Sequence, residues 1–205
     1  MTVYSKSYPA PEVNKNEILR YAGVKETSAQ ISELMEECLT LCLGSFSYNV
    51  CYMNLPIKHL DDGLDLGFCV TDSKSLEKNL KGCDSIILFA ATVGSGLDRL
   101  IARHSVTSPA KAFMLQAIGA ERIEALCNTF NAEISQEVKA HCKLTSPRFS
   151  AGYGDFPLEF QKNICEALDC QRKIGVTLQE SLIMLPTKSV TAIIGIKNQE
   201  TRDES

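Results

Sequence analysis

The residues with the clearest chemical potential lie together in residues 148–155, R-F-S-A-G-Y-G-D, which we call the glycine loop. Arg148 can bind a carboxylate through two parallel hydrogen bonds. Gly152 and Gly154 allow backbone N–H and C=O groups to approach a flat ligand closely. Tyr153 offers a π face to a cation and a hydroxyl for a polar contact. The loop therefore predicts a ligand site; the alternative is a turn in which Arg148 only satisfies nearby carbonyl groups.

Two other motifs are incomplete. Residues 93–99 begin as G-x-G after an apolar run, but Arg99 stands where a dinucleotide-binding fingerprint needs its third glycine. A tight turn from strand to helix is the simpler interpretation. Cys38 and Cys42 have the C-x-x-x-C spacing that begins the iron–sulfur motif of radical S-adenosylmethionine enzymes. Because Ser45 occupies the third cysteine position, we predict no cluster and expect both thiols on one helix face.

The histidines and cysteines do not predict a metal site. His59, His104 and His141 each lack a partner His or Cys at ligand spacing. None of them lies in the D-x-H-x-x-G loop by which many corrinoid-binding modules ligate cobalt. The nine cysteines are odd in number, scattered and without a C-x-x-C pair. We therefore expect unpaired and mostly buried thiols in a reducing cytoplasm.

Composition and charge exclude several classes of function. Of 205 residues 44% are apolar, which is enough for a buried core, and the net charge is −4. Without a basic run, a nucleic-acid partner is not expected, because phosphate neutralisation needs clustered Lys and Arg. The longest uncharged apolar stretch has 13 residues, 85–97, fewer than the ~18 that span a bilayer. With a polar N-terminus and no apolar signal core, we expect a cytoplasmic protein without a membrane segment.

The elements that must position the glycine loop follow from the hydrophobic pattern. Helices are predicted over residues 14–23, 27–43, 73–82, 97–104, 108–142 and 158–168, with Thr27, Ser73 and Ser108-Pro109 at the starts of three of them. Strands are predicted as short pieces within residues 46–70 and over residues 84–93, 174–184 and 189–196. The continuous apolar run in residues 84–93 indicates a strand covered on both faces. Together these elements predict an α+β fold, a single domain with a mixed or antiparallel sheet, a long central helix and flanking helices.

Two signatures in the correct order resemble the activation, or reactivation, domain of cobalamin-dependent methionine synthase. The first is R-x-x-x-G-Y, here Arg148 to Tyr153. The second is L-Q-E-S-L-I-M-L-P-T-K-S-V-T, residues 178–191, which is similar to L-T-E-S-x-x-M-x-P-x-x-S-V-S. Residues 121–125 also fit an E-x-x-E-A segment of that family. On this resemblance residues 84–196 are the activation-type core, residues 1–83 a segment of the same domain, and residues 197–205 a frayed tail.

The resemblance implies a ligand and a role for the glycine loop. Domains of this family bind S-adenosylmethionine and cover the cobalamin of a partner module. An electron from a flavodoxin-like donor and a methyl group from S-adenosylmethionine then restore methylcobalamin from cob(II)alamin. By this resemblance Arg148 anchors the methionyl part or adenosine edge of the ligand. The site residues of the loop backbone are Ser150, Ala151, Gly152 and Gly154.

The resemblance also assigns four side chains beyond Arg148. Tyr153 faces the corrin near the axial ligand of cobalt and is the catalytic candidate. Glu124 balances the sulfonium charge; the alternative is an ordinary exposed helix residue. Glu180 and Ser189 belong to the strand wall of the second signature, and the other residues of that signature are as well explained by the core. The family's acidic contact to the amino group of the ligand has no match here.

Three functions remain open on these grounds. The first is a free-standing reactivation component of a split methionine synthase, which is not active alone and works with a cobalamin-binding partner chain. The second is a reactivator of another corrinoid methyltransferase. The third is a non-catalytic S-adenosylmethionine-binding sensor. Tyr153 favours the first two, because a sensor needs no phenol directed at a corrin.

Overall fold

A five-stranded antiparallel sheet is the centre of the fold in the computed structural model, which describes residues 2–199. The strands are β1 (Tyr4–Tyr8), β2 (Tyr48–Pro56), β3 (Lys58–Leu60), β4 (Gly63–Asp65), β5 (Val70–Thr71), β6 (Cys83–Thr92), β7 (Lys143–Thr145), β8 (Thr177–Leu178), β9 (Met184–Leu185) and β10 (Ser189–Asn198). The helices are α1 (Lys15–Tyr21), α2 (Ala29–Leu41), α3 (Lys74–Asn79), α4 (Gly96–Thr107), α5 (Pro109–Lys139), α6 (Phe160–Ala167) and α7 (Cys170–Ile174). The central sheet has the order β1-β2-β6-β10-β7, and β3-β4-β5 and β8-β9 form two small sheets.

The central strand β6 is buried on both faces, as its unbroken apolar run predicts. It pairs antiparallel with β2 on one side and with β10 on the other. On one face Phe89 packs against Phe130 of the long helix α5. On the other face Leu88 and Ile86 pack with α3, α6 and α7. Helices on both faces of an antiparallel sheet make an α+β domain, and the predicted fold class is confirmed.

The predicted helices are present, with small shifts at their ends. Ser73 caps α3 by accepting a hydrogen bond from Leu76 N, and Pro109 begins α5. The cap of α2 is Ser28 rather than Thr27, because Ser28 Oγ accepts the hydrogen bond from Ile31 N. The G-x-G turn joins β6 to α4, as the simpler interpretation expected. Cys38 and Cys42 are both buried beside α5, as predicted for one helix face.

The structure differs from the sequence predictions at three places. Residues 174–184 do not form one strand: they contain the end of α7, the two-residue strand β8 and a turn closed by Gln179 N donating to Ile183 O. Strand β1 was missed in the polar N-terminus, where it pairs with β2 at the edge of the sheet and keeps mostly exposed side chains. The chain does not fray at Lys197, because Lys197 and Asn198 pair with Leu144 and Lys143 of β7. The rest of the predicted tail, from residue 200, lies outside the described residues.

The middle of α5 packs so closely against neighbouring side chains that position 119 has room only for glycine. Alanine is favoured over glycine in a helix by about 1 kcal/mol. However, a Cβ at Gly119 would overlap with the Leu97 side chain and lie 2.9 Å from Lys188 Cε. Leu97 is fully buried, so it has little room to move. We expect Gly119→Ala to lower the free energy of unfolding by about 1–2 kcal/mol in urea titrations, within the range for overpacking.

A Leu97→Ala background provides the control for this prediction. With the overlapping side chain removed, Gly119→Ala should be neutral or stabilising, so the two substitutions should be strongly non-additive. A Gly119→Ala protein that is more stable than the wild type would contradict the packing explanation.

Candidate functional site

The glycine loop borders a cleft of about 700 Å³ between α5, the start of α6 and β10. We call it the Arg148 cleft, and its lining consists of Glu124, Asn128, Asn131, Pro147, Arg148, Phe149, Ser150, Ala151, Tyr153, Leu158, Gln161, Met184, Ser189, Val190, Thr191 and Ala192. The lining combines one cation, one anion and seven amide or hydroxyl side chains with several apolar ones. It is a suitable size and composition for a small polar molecule that has an apolar part.

The start of the glycine loop is fixed by the central sheet. Phe149 N donates to Ile193 O at 2.9 Å, and Ile193 N donates to Phe149 O at 2.8 Å, so residue 149 forms an isolated bridge to β10. Ser146 N donates to Gly195 O in the same way. Beneath the loop, Phe156 packs between Phe149 and Phe160. Arg148 is thus carried on backbone that is part of the sheet.

The turn of the loop depends on glycine. Gly152 and Gly154 have φ values of 90° and 57°, a region that favours glycine. Gly152 N donates to Phe156 O at 2.8 Å, which closes the turn. These two glycines shape the loop, whereas Ser150, Ala151 and Tyr153 line the cleft itself.

The end of the loop is attached to α3 by Asp155. Its carboxylate accepts hydrogen bonds from Ser73 Oγ at 2.5 Å and from the backbone N–H groups of Lys74 and Ser75 at 2.8 and 3.1 Å. These hydrogen bonds, the Ser73 hydroxyl first, hold the pKa of the Asp155 carboxyl well below its usual range. Asp155 therefore attaches the loop to α3. It is the last residue of the glycine loop, but this structural role could not be predicted from the motif.

This depressed pKa predicts a pH dependence of stability. A carboxyl whose folded-state pKa is lowered stabilises the fold above its unfolded-state pKa, about 3.9, and the contribution is lost as the pH falls below that value. We expect Asp155→Asn to lower the urea midpoint at pH 7, and the difference from the wild type to shrink between about pH 5 and pH 2. Asp62→Asn, in the exposed turn before β4, controls for loss of one charge. A difference that is unchanged at pH 2.5 would contradict the assignment.

Arg148 and Glu124 form an ion pair inside the cleft. Arg148 Nη2 donates to Glu124 Oε2 at 3.0 Å and to Asn128 Oδ1 at 2.9 Å, and the Arg148 side chain is 23% exposed. Since Nη2 makes both bonds, the guanidinium keeps further N–H donors for a ligand. Burial raises the pKa of the neighbouring Cys127 thiol to about 12, so this thiol stays neutral. Glu124 is then the anion beside Arg148.

Two acceptors in the cleft have no donor. Asn131 Oδ1 and Gln161 Oε1 are buried, and neither has a hydrogen-bond partner in residues 2–199. Asn131 lies on α5 two turns after Glu124, and Gln161 lies in the first turn of α6. Buried polar atoms are normally hydrogen-bonded, so these two oxygens are exceptions among the described residues, and both are closed off from the open part of the cleft.

Tyr153 is at the rim of the cleft and is 68% exposed. Its backbone N–H donates to Ser150 O and its carbonyl accepts from Phe156 N, so the residue sits within a turn of fixed geometry. The exposed apolar side chain of Leu158 lies along the same cleft. The phenol is therefore presented to whatever covers the cleft.

The second signature reaches the cleft only in part. Ser189 lines it, but its hydroxyl is hydrogen-bonded to Thr92 Oγ1 and Pro186 O, which fixes the start of β10. Glu180 is not brought to the cleft, because residues 179–183 form a turn rather than a strand. It lines a separate cavity of about 610 Å³ next to Lys162 and Cys165. Met184, for which the core was an equally good explanation, packs against the core and also lines the Arg148 cleft, together with Ser189, Val190 and Thr191.

Sequence reasoning missed three polar residues of the cleft: Asn128, Asn131 and Gln161. A signal for two of them was available, because Glu124, Asn128 and Asn131 have the i, i+4, i+7 spacing of one helix face. A polar stripe on a helix that is mostly buried is unusual and indicates a site. Gln161 gives no such signal, because its burial depends on how α6 packs.

Three general observations concern residues 2–199. In residues 2–199 no three His, Cys, Asp or Glu side chains are grouped closely enough to bind a metal ion. A search of the helices in this range finds none with the length and apolar character needed to cross a membrane. All nine cysteines lie within the described range and are free thiols.

The comparisons with known proteins agree with each other. A family model described as the activation domain of vitamin B12 dependent methionine synthase matches residues 66–202. Among solved structures, one described as the crystal structure of the MetH reactivation domain bound to AdoHcy has a TM-score of 0.71. That alignment covers 100% of this chain and 81% of the other chain at 13% identity, so it shows a shared fold. No curated protein matches the chain.

Proposed function

Since the chain belongs to the family of activation domains of vitamin B12-dependent methionine synthase, we propose that it binds S-adenosylmethionine in the Arg148 cleft and supports reductive methylation of cob(II)alamin on a partner chain. One observation carries the proposal: a single cleft contains Arg148 beside Glu124 and an exposed Tyr153 at its rim. The AdoHcy bound to the solved reactivation domain supports the ligand class, because AdoHcy is what remains after S-adenosylmethionine has given up its methyl group.

The charges of the cleft are complementary to this ligand. S-adenosylmethionine carries a carboxylate, an α-ammonium and a sulfonium, and its net charge is therefore positive. Arg148 can bind the carboxylate with two hydrogen bonds, which its planar guanidinium favours. Glu124 lies 3.0 Å from Arg148 and 41% of its side chain is exposed, so its carboxylate can turn towards a cation in the cleft. On binding, the ion pair between Arg148 and Glu124 is replaced by two ion pairs with the ligand. Arg148 pairs with the ligand carboxylate, and Glu124 pairs with a positive group of the ligand.

The chain's contribution to the reaction is positioning. The cobalamin of the partner supplies the methyl acceptor, S-adenosylmethionine supplies the methyl group and a flavodoxin-like donor supplies the electron. Arg148 and the loop backbone of Ser150 and Ala151 hold the amino-acid end and the adenosine of the ligand. Tyr153, exposed at the rim, would face a corrin that covers the cleft and would offer it a hydroxyl for a hydrogen bond. Holding two reactants in line contributes up to about 7–11 kcal/mol to the barrier reduction.

The partner and the compartment follow from the same reasoning. A cobalamin-binding methionine synthase chain is the proposed partner, because the exposed rim at Tyr153 is where a corrin would cover the cleft. Nine free cysteines are consistent with the reducing cytoplasm as the compartment. In this arrangement the chain makes no methionine alone and acts as an accessory component of the methyltransferase.

Reductive methylation followed by absorbance tests the proposal. A cobalamin-binding methionine synthase chain in the cob(II)alamin state is mixed with a saturating reductant and S-adenosylmethionine, with and without this protein. Methylcobalamin is expected only when this protein and S-adenosylmethionine are both present. Calorimetry with S-adenosylhomocysteine provides the parallel measurement of ligand binding.

The outcomes separate the candidate functions. Absence of heat with S-adenosylhomocysteine, with the partner present and absent, would refute the ligand assignment. Binding without any effect on methylation, for this partner and for other corrinoid methyltransferases, would identify a sensor. Methylation only with another corrinoid methyltransferase would retain the mechanism and replace the partner.

A further inference from the structure

The junction between α6 and α7 brings two cysteines together. Asp169, between the helices, has φ 48° and ψ 47°, the left-handed conformation that ends many helices. Its backbone N–H donates to Glu166 O at 3.1 Å, which is one of the hydrogen bonds of a Schellman motif. In that motif the side chain after the left-handed residue contacts a side chain in the last turn of the helix. Here these two residues are Cys170 and Cys165.

The two thiols differ in their access to solvent. Both residues line the cavity of about 610 Å³ that also contains Glu180. Cys165 is partly exposed, whereas Cys170 is 1% exposed and belongs to the core. A third thiol, Cys51 of β2, is hydrogen-bonded to Cys170 from the interior, is fully buried and does not line the cavity. A reagent in the cavity therefore reaches Cys165 first, and Cys170 reacts with its neighbour.

The contact between the thiols also makes them chemically different. A hydrogen bond from the Cys170 thiol lowers the pKa of the Cys165 thiol, although burial opposes this shift. The hydrogen bonds to Cys165 and Cys51, together with burial, raise the pKa of Cys170. The thiolate is the reactive form of cysteine, so Cys165 is the nucleophile and Cys170 keeps its proton until it reacts. Burial raises the pKa of Cys69, which is also partly exposed, to about 12.

We propose that Cys165 and Cys170 form a reversible redox site, in which hydrogen peroxide oxidises the pair to a disulfide. The Cys165 thiolate attacks one peroxide oxygen, so that an S–O bond forms, the O–O bond breaks and the leaving hydroxide takes up a proton to become water. The Cys170 sulfur then attacks the sulfur of this sulfenic acid. The S–S bond forms, the S–O bond breaks, and the hydroxide leaves as water with the Cys170 proton. Two thiols and one peroxide thus give one disulfide and two waters, and a dithiol reductant reverses the oxidation.

The charges of the cavity favour a small neutral oxidant. Glu166 and Glu180 line it, as does Asp169, which is paired with Arg172, and Lys162 is the one cation of the lining. Glutathione disulfide is larger and negatively charged, so the excess of carboxylates opposes its approach. Hydrogen peroxide is uncharged and small enough to reach a partly exposed sulfur. Disulfides of cytosolic proteins are usually transient, which agrees with a pair that is reduced again after each oxidation.

Mass spectrometry after treatment with hydrogen peroxide tests the proposal. The native protein is treated with peroxide, catalase removes the excess, and the remaining thiols are alkylated after unfolding in urea. Trypsin cuts after Lys162 and Arg172, so both cysteines lie in one peptide, residues 163–172. A disulfide is then seen as the loss of two hydrogen atoms from this peptide without alkylation. Treatment with dithiothreitol before alkylation should restore both thiols.

Three variants give the expected pattern. The wild type and the control Cys69→Ser should form the disulfide at rates within about twofold of each other, because burial keeps the Cys69 thiol protonated. In Cys170→Ser the sulfenic acid on Cys165 has no thiol to resolve it. Its labelling by dimedone should therefore rise at least about tenfold above that of the wild type. In Cys165→Ser neither the disulfide nor the dimedone adduct should form in this peptide.

The opposite results overturn the inference. If both cysteines of the wild-type peptide remain fully alkylated after peroxide treatment, the pair is not a redox site, and this measurement needs no variant that could fail to fold. A disulfide between Cys51 and Cys170 would show that the interior contact reacts instead. Sulfinic acid on Cys165 of the wild type without a disulfide would show that Cys170 does not resolve the sulfenic acid. None of these results affects the proposed binding of S-adenosylmethionine in the Arg148 cleft.

Discussion

Replacement of Arg148 by alanine is expected to weaken binding of S-adenosylhomocysteine by about 1.5–3 kcal/mol, roughly 10- to 150-fold in Kd. The reason is the loss of a charge-assisted contact to the ligand carboxylate. Arg148 is the only cation in the lining of the cleft, so within the described chain no other lining residue can replace it. Isothermal titration calorimetry on the wild type and Arg148→Ala measures the change directly.

Stability measurements distinguish this loss from misfolding. The Arg148–Glu124 pair is partly exposed, and such pairs contribute only about 0–1 kcal/mol to stability. The melting temperature of Arg148→Ala should therefore change little. Arg20→Ala, which removes an exposed pair with Glu17 on α1, is the matched control and should bind the ligand as the wild type does. Unchanged affinity in Arg148→Ala would remove Arg148 from the site.

Replacement of Tyr153 by phenylalanine should separate binding from reactivation. The ring and its packing remain, so the affinity for S-adenosylhomocysteine should stay within about 0.5 kcal/mol of the wild type. The hydroxyl is lost, and single-turnover reductive methylation of the partner's cob(II)alamin should slow by about 100-fold, the lower end for removal of one pre-positioned donor from a closed site. A rate loss without an affinity loss identifies a group that acts only in the assembled complex.

Tyr4→Phe is the control for the tyrosine substitution. Tyr4 is 54% exposed on β1, at the edge of the sheet opposite β7, and stacks on Tyr52. It should leave both the affinity and the methylation rate unchanged. Equal rates for Tyr153→Phe and the wild type would show that the phenol has no part in the mechanism.

Local patterns predicted much of the fold. The apolar run of β6 required cover on both faces, and the Ser-Pro start of α5 gave the long helix that supplies one of them. These predictions depend on short-range chemistry: hydrophobic periodicity, capping hydroxyls and the fixed φ of proline. The strand predicted over residues 174–184 failed because that segment combines the end of α7, the two-residue strand β8 and a turn, and of its apolar residues only Val176 is buried.

The glycine loop was found from sequence because its chemistry is contiguous. Arg148, Gly152 and Tyr153 stand within six residues, and their types are unusual together. The resemblance of this loop and of the second signature to methionine synthase activation domains gave the family, which the match over residues 66–202 confirms. The match begins at residue 66, before residue 84, in a segment where the two signatures are absent.

The sequence by itself determined the fold class, the central strand, the long helix and the loop with Arg148 and Tyr153, since each is encoded by neighbouring residues. Only the tertiary structure decided which other groups share the cleft. It placed Glu124 beside Arg148, buried Gln161 without a donor, and left Glu180 in a different cavity. These outcomes depend on how α5, α6 and β10 pack. Packing brings together residues that are far apart in the sequence, and the spacing of such residues does not predict their contact.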